Sequence, residues 1–146
     1  MATREPPRRS DYRWFSAVPT RWMDNDVYGH VNNAHYYSYF DTAINRLLIE
    51  RGGLDIQGGT VVGYIVSSSC EYYAPVSYPD ELVVGVRADR LGRRSAHYGV
   101  GLFRGGDDLA SAAGTMVHVF VDRTTGKAVE LPALVRQALA AISLVP

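Results

Sequence analysis

Residues 21–43, RWMDNDVYGHVNNAHYYSYFDTA, place Asp24, Asp26, His30, Asn32 and Asn33 within ten positions of one another, where a strand pattern gives way to a long helical one. An aspartate in such a place can act as a nucleophile or as a general base. The free N–H groups and the positive dipole end of the following helix can hold a developing oxyanion. Gly29 lets backbone come close to a ligand at the turn. For a lone aspartate the plainer expectation is a solvated turn acid or a helix cap, so the pattern as a whole has to carry the argument.

Two metal readings fail on spacing. DNDVYG begins like a calcium loop, but Tyr28 occupies its fifth position and His35 its twelfth, where a carboxylate or amide and then a bidentate glutamate are required. His30, His35, Asp24 and Asp26 match no common zinc spacing. No metal is expected. Cys70, the one cysteine, reads as a small buried hydrophobe and cannot form an intramolecular disulfide.

The elements that must position these residues follow from periodicity. Phe15 to Met23 reads as a short strand. From Ala34 the apolar residues Tyr36, Phe40, Ala43, Ile44, Leu47 and Leu48 take helical spacing, with Asn32 or Asn33 as N-cap and Gly52-Gly53 as the stop. The helix is expected over 34–50. Four strands follow: Val61 to Tyr73, ended by Pro75 and Pro79; Leu82 to Ala88; Ala96 to Leu102 after the Gly92–Arg94 turn; and Leu109 to Val121 after the Gly105–Asp108 turn. Pro132 opens a short amphipathic helix through Leu134, Val135, Leu139 and Ile142. Strands joined by short turns imply an antiparallel sheet, and one apolar-faced helix needs a sheet to cover it, so the class is α+β. The exposed edge of a small sheet favours pairing with a second copy, hence a homodimer.

Composition narrows the function. Of 146 residues, 47% are hydrophobic, enough for one core. Residues 1–12 are expected to be a disordered start and 13–146 a single domain. Fifteen basic and fifteen acidic residues cancel, which gives no general support to nucleic-acid or polyanion binding. No h-region follows the N-terminal arginines and no apolar run reaches membrane-spanning length, so a cytoplasmic protein without a membrane span is expected.

The run D-x-D-x-x-G-H-V-N-N, here Asp24, Asp26, Gly29, His30, Val31, Asn32 and Asn33, resembles the signature of hotdog-fold thioesterases of the 4-hydroxybenzoyl-CoA thioesterase-like group. Tyr36, Tyr39, Phe40 and Asp41, and the segment EYYAPVSYPDEL from Glu71 to Leu82, extend the likeness. The resemblance implies a five-stranded antiparallel sheet wrapped around the long helix, subunits joined into a homodimer or homotetramer, and sites at the dimer interface. It implies an acyl-CoA thioesterase with no cofactor beyond the coenzyme A of its substrate. Asp26 is the acid it carries over, as general base or nucleophile, and the Asn33 backbone N–H is the group that polarises the thioester carbonyl. His30 is placed with them, to bond the acid or substrate or to hold the loop. Gly29, Asn32, Asp41 and Tyr72 are candidate substrate contacts. Arg93 and Arg94 lie near where similar proteins bind coenzyme A phosphates, and arginine forks suit phosphate. Asp24 is expected to hold the turn. Rival readings are an acyl-carrier-protein thioesterase and a non-catalytic acyl-CoA-binding protein. A hydratase on this fold would need D-x-x-x-x-H, and Asp24 and Asp26 stand six and four residues before His30 rather than five.

Overall fold

The long helix begins where the sequence period changes. α1 spans Ala34–Glu50, and Tyr36, Tyr39, Phe40, Ala43, Ile44, Leu47 and Leu48 are all buried. Their three- and four-residue spacing puts them on one stripe. Burying a large apolar side chain contributes about 1.5–3 kcal/mol, so packing rather than the modest helix propensity of these residues holds α1. Its end is made by Leu47 O, which accepts the Arg51 and Gly52 N–H groups, and by Gly53 at φ +64°.

The computed structural model describes residues 5–144. Five strands, β1 (Trp14–Pro19), β2 (Val61–Tyr72), β3 (Glu81–Leu91), β4 (Ser95–Arg104) and β5 (Ala112–Asp122), form one antiparallel sheet in the order β1-β3-β4-β5-β2. Leu82, Val84 and Val86 of β3, Tyr98, Val100 and Leu102 of β4, and Met116 and Phe120 of β5 meet the α1 stripe in a single core. The short helix α2 (Ala133–Ala140) adds Val135 and Leu139 to it. This is the hotdog arrangement: one sheet wrapped around one long helix.

Three expectations are corrected. The first strand ends at Pro19 rather than Met23, because the Asp24 carboxylate accepts the Arg21 N–H at 3.0 Å and winds Trp22–Asp24 into a 3-10 turn. The last strand starts at Ala112 rather than Leu109. The Ser111 carbonyl accepts both Tyr73 and Ala74 N–H groups, and Leu109 instead bridges to Arg8. Of the start expected to be disordered, residues 1–4 lie outside the described residues, but Pro7 to Tyr12 is tied to the sheet. Arg8 pairs with Asp108 at 2.8 Å, Ala110 donates to Pro7 O at 2.8 Å, and Tyr12 is buried. The reason is a flat place on the sheet face opposite α1. Gly85 and Gly101 are register partners, and the Tyr12 ring lies on them so closely that a Cβ at Gly101 would stand 2.7 Å from it. Phe103 packs edge-on to that ring at 5.7 Å, and the Arg87 guanidinium lies 5.1 Å from its centroid.

Candidate active site

The chain between β1 and α1 folds back on itself. Asn25 and Val31 form an antiparallel bridge, Asp26 N–H donates to His30 O at 2.9 Å, and Gly29 N–H donates to Asp26 O at 3.0 Å. Gly29 closes this turn at φ +81°, a left-handed conformation costly to residues with a Cβ. A second loop, residues 75–80, buttresses the hairpin. Val31 N–H donates to Val76 O at 2.8 Å, Ser77 Oγ to Gly29 O at 2.9 Å, and Tyr78 N–H to Asn25 Oδ1 at 3.0 Å. The Asp80 carboxylate shapes that loop by accepting Ser77 N–H at 2.9 Å.

Asp24 anchors the hairpin from below. It has no exposed surface, and it accepts the Tyr39 hydroxyl at 2.6 Å and the Arg21 side chain at 2.9–3.0 Å. Burial alone would raise its pKa, but the Tyr39 and Arg21 hydrogen bonds outweigh burial and hold the carboxyl below the usual range. Both of its oxygens are engaged with the scaffold, as expected of the acid that holds the turn.

Asp26 is half-buried and differently served. Oδ1 accepts Tyr28 N–H at 2.9 Å and Oδ2 accepts the Asn32 side-chain amide at 3.2 Å. Asn32, not Asn33, supplies the side-chain cap: its Oδ1 accepts Ala34 N–H at 3.0 Å, while its carbonyl accepts His35 N–H at 3.0 Å. Asn33 N–H, exposed at the first turn of α1, donates to no acceptor among the described residues. The Asn32 side chain thus joins the Asp26 carboxylate to the Ala34 N–H, and the neighbouring Asn33 N–H has no acceptor among the described residues.

His30, Asn33 and Tyr72 line a cleft of about 310 Å³ with Val31, Tyr36 and Ala74. Tyr72 donates its hydroxyl to Asn33 O at 3.3 Å and packs edge-on to Tyr36 at 4.9 Å. Burial pushes the Tyr72 hydroxyl pKa well up, keeping the phenol neutral. Asp26, Gly29 and Asn32 belong to the hairpin that carries His30 and Val31 into this cleft.

Other sequence candidates fall elsewhere. Asp41 lies eight residues beyond Asn33, about 12 Å along the helix, and lines a separate groove with Thr42, Asn45 and Glu50. Partial burial holds its pKa up despite a hydrogen bond from Asn45 at 3.1 Å. Arg93 and Arg94 sit in the β3–β4 turn, at the other end of β4 from the Arg104 end near α1's N-terminus. Ten residues of strand separate those ends, about 30 Å. Arg93 is paired with Glu130 at 2.7 Å, so within one chain neither arginine joins Asp26. A cleft of about 580 Å³ between Ala17–Thr20 and Tyr78–Val83 is lined by Glu81 and the already engaged Asp80 and by no histidine. Among the described residues no group of three His, Cys, Asp or Glu side chains could hold a metal ion, and no helix is long and apolar enough to cross a membrane.

Sequence reasoning missed the 75–80 buttress and a buried pair in the core. Tyr98 OH and His118 Nδ1 stand 3.0 Å apart with both residues fully enclosed. Burial pushes the His118 pKa down to about 4. The signal was present, since His118 occupies an inward position in a period-two strand.

A sequence profile of the thioesterase-like superfamily matches residues 18–139. Among solved structures, the PA5185 protein of Pseudomonas aeruginosa strain PAO1 is 54% identical with a TM-score of 0.93, over 94% of this chain and 96% of that one. PA2801 of the same species, provisionally described as a thioesterase, is 30% identical with a TM-score of 0.80, over 85% and 95%. Slr0204, a 1,4-dihydroxy-2-naphthoyl-CoA thioesterase from Synechocystis, is 18% identical with a TM-score of 0.77, over 86% and 94%, a likeness of fold alone.

Proposed function

The chain belongs to the thioesterase-like superfamily, and from that premise we propose that it hydrolyses an acyl-CoA thioester to the free acid and coenzyme A. The observation that carries this reading is that the Asn32 side chain ties the Asp26 carboxylate to the Ala34 N–H at the start of α1, next to the Asn33 N–H, which has no acceptor among the described residues, and beside a cleft walled by tyrosines. In the base route Asp26 takes a proton from water, and the hydroxide adds to the thioester carbonyl carbon. The carbonyl oxygen becomes an oxyanion facing the Asn33 N–H and the positive end of α1. Collapse breaks the C–S bond, and the departing thiolate recovers the proton. In the nucleophilic route Asp26 itself adds to the carbonyl carbon and expels the thiolate, and water then cleaves the mixed anhydride. Neither route draws on a metal or redox group.

Two copies joined along β2 would complete the site. β2 is one of the two edges of the sheet, and its Tyr64, Ile65 and Val66 are exposed, as is Tyr72 beside the cleft. An edge with apolar side chains favours strand pairing with another copy. A partner approaching there would also stand against the open side of the cleft, where the acyl group would be enclosed.

The test is free-thiol release from short, long and aromatic acyl-CoAs, wild type against Asp26→Asn. A fall of about a hundredfold or more in the variant is expected, the loss typical of a removed general base or nucleophile. A folded Asp26→Asn protein with undiminished release would remove Asp26 from the mechanism. Absence of release by the wild type from every acyl-CoA would move the reading to carrier-protein thioesters or to binding without turnover.

A further inference from the structure

We propose that Asn32 is a positioning residue, fixing the Asp26 carboxylate against the first turn of α1 and reserving the Asn33 N–H for the substrate, an inference that rests on the thioesterase reading above. The resemblance implied a substrate contact at Asn32. The structure gives its polar groups other work. Its backbone N–H donates to Asp24 O at 2.9 Å, and its carbonyl accepts His35 N–H at 3.0 Å. Its side-chain NH2 donates to Asp26 Oδ2 at 3.2 Å, and its Oδ1 accepts Ala34 N–H at 3.0 Å.

The orientation of the side-chain amide is dictated by what it faces. An ionised carboxylate only accepts and a backbone N–H only donates, so turning the amide over would set acceptor against acceptor and donor against donor. Asn32 therefore links the acid to the helix in one geometry only. The same residue occupies two of the donors at the start of α1, those of Ala34 and His35, and Tyr36 N–H goes to Asn33 O at 3.3 Å. The Asn33 N–H is left without an acceptor among the described residues, at the cleft wall. One residue does both: its side chain places the acid and takes the Ala34 N–H, and its carbonyl takes the His35 N–H.

Asn32→Asp separates this role from capping. Aspartate caps a helix as well as asparagine does, so a residue that only capped would leave activity and stability unchanged. A positioning residue would not, because the variant sets a second carboxylate where an amide lay 3.2 Å from Asp26 Oδ2. Repulsion disfavours ionisation of the pair. The expected result is a folded variant, less heat-stable than wild type, with KM changed by less than about twofold. Its kcat falls about ten- to a hundredfold, the range for a misplaced reacting group, and the acid limb of its pH–rate profile moves to higher pH. A variant with wild-type kcat and profile overturns the inference.

A second measurement needs no turnover. In wild-type protein the Asn32 side-chain NH2 resonances should shift as the neighbouring carboxyl titrates, and that shift should vanish in Asp26→Asn. Resonances indifferent to the titration would sink the Asn32 assignment even in an active thioesterase. Coupled resonances in a protein without hydrolytic activity would uphold the positioning geometry and count against the thioesterase reading alone.

Discussion

Asp24→Asn replaces a fully enclosed carboxylate by its nearest neutral shape. Oδ2 accepts Tyr39 OH at 2.6 Å and Arg21 N–H at 3.0 Å, and Oδ1 accepts Arg21 Nε at 3.0 Å. Asparagine offers one acceptor oxygen, so its NH2 must face at least one of these donors. A hydrogen bond to a charged group contributes about 1.5–3 kcal/mol. The Arg21 side chain is half-exposed, so its ion pair is set at no more than about 1 kcal/mol. Together these give a loss of about 3 kcal/mol, or roughly 10 °C in Tm for a domain of this size. The pH dependence has a definite sign. Asp24's folded pKa lies below its unfolded value near 3.9, so the carboxylate contributes its stability above that value and loses it as pH falls through the folded pKa. The gap between wild type and variant is therefore full at neutral pH and narrows below about pH 4. Urea unfolding followed by tryptophan fluorescence, repeated at descending pH, measures both. A loss under about 1 kcal/mol, or a gap that widens on acidification, would refute the account of Asp24 as the anchor of the hairpin.

Two further outcomes follow from the core. Gly101→Ala drives a methyl group to within 2.7 Å of the Tyr12 ring and should cost about 1–3 kcal/mol by overpacking; in a Tyr12→Ala background the penalty should largely disappear, which a double-mutant unfolding cycle would show. His118 is held neutral, with its pKa pushed down by burial to about 4 against an unfolded value near 6.5. The unfolded chain thus binds the extra proton first, and about 3 kcal/mol of stability present above pH 6.5 drains away as pH falls toward 4. His118→Gln, which does not titrate, should lack that slope in unfolding curves across the same window.

The neighbourhood of Asp26 was legible because its parts are local. The hairpin, the cap and the helix start all lie within 24–36, where spacing alone decides what can meet, and the helix came out at Ala34–Glu50 as its periodicity required. Within that window sequence still could not say which asparagine caps. Asn32 and Asn33 are chemically equal candidates, and only the direction of each side chain distinguishes them. The SYPDEL run was visible as a likeness but not as a buttress, since Asn25 and Tyr78 are brought together by two loops far apart in the chain.

The remaining features depend on register. Tyr12 covers the outer face only because Gly85 and Gly101 fall opposite one another across β3 and β4. Tyr98 meets His118 only because β4 and β5 align Ala96 with His118 and Tyr98 with Met116. Arg93 is assigned to Glu130 by the way α2 returns beneath the β3–β4 turn, a contact 37 residues apart in sequence. The sequence by itself determined the α+β class, the long helix and the motif at its start, because these rest on short-range periodicity and residue type. The tertiary structure alone decided that Asp24 is fully enclosed and Asp26 only half-buried, that Asn32 joins Asp26 to the helix, and that the arginines stand about 30 Å of strand away. Strand register and loop docking set those distances, and neither is written in any one stretch of the chain.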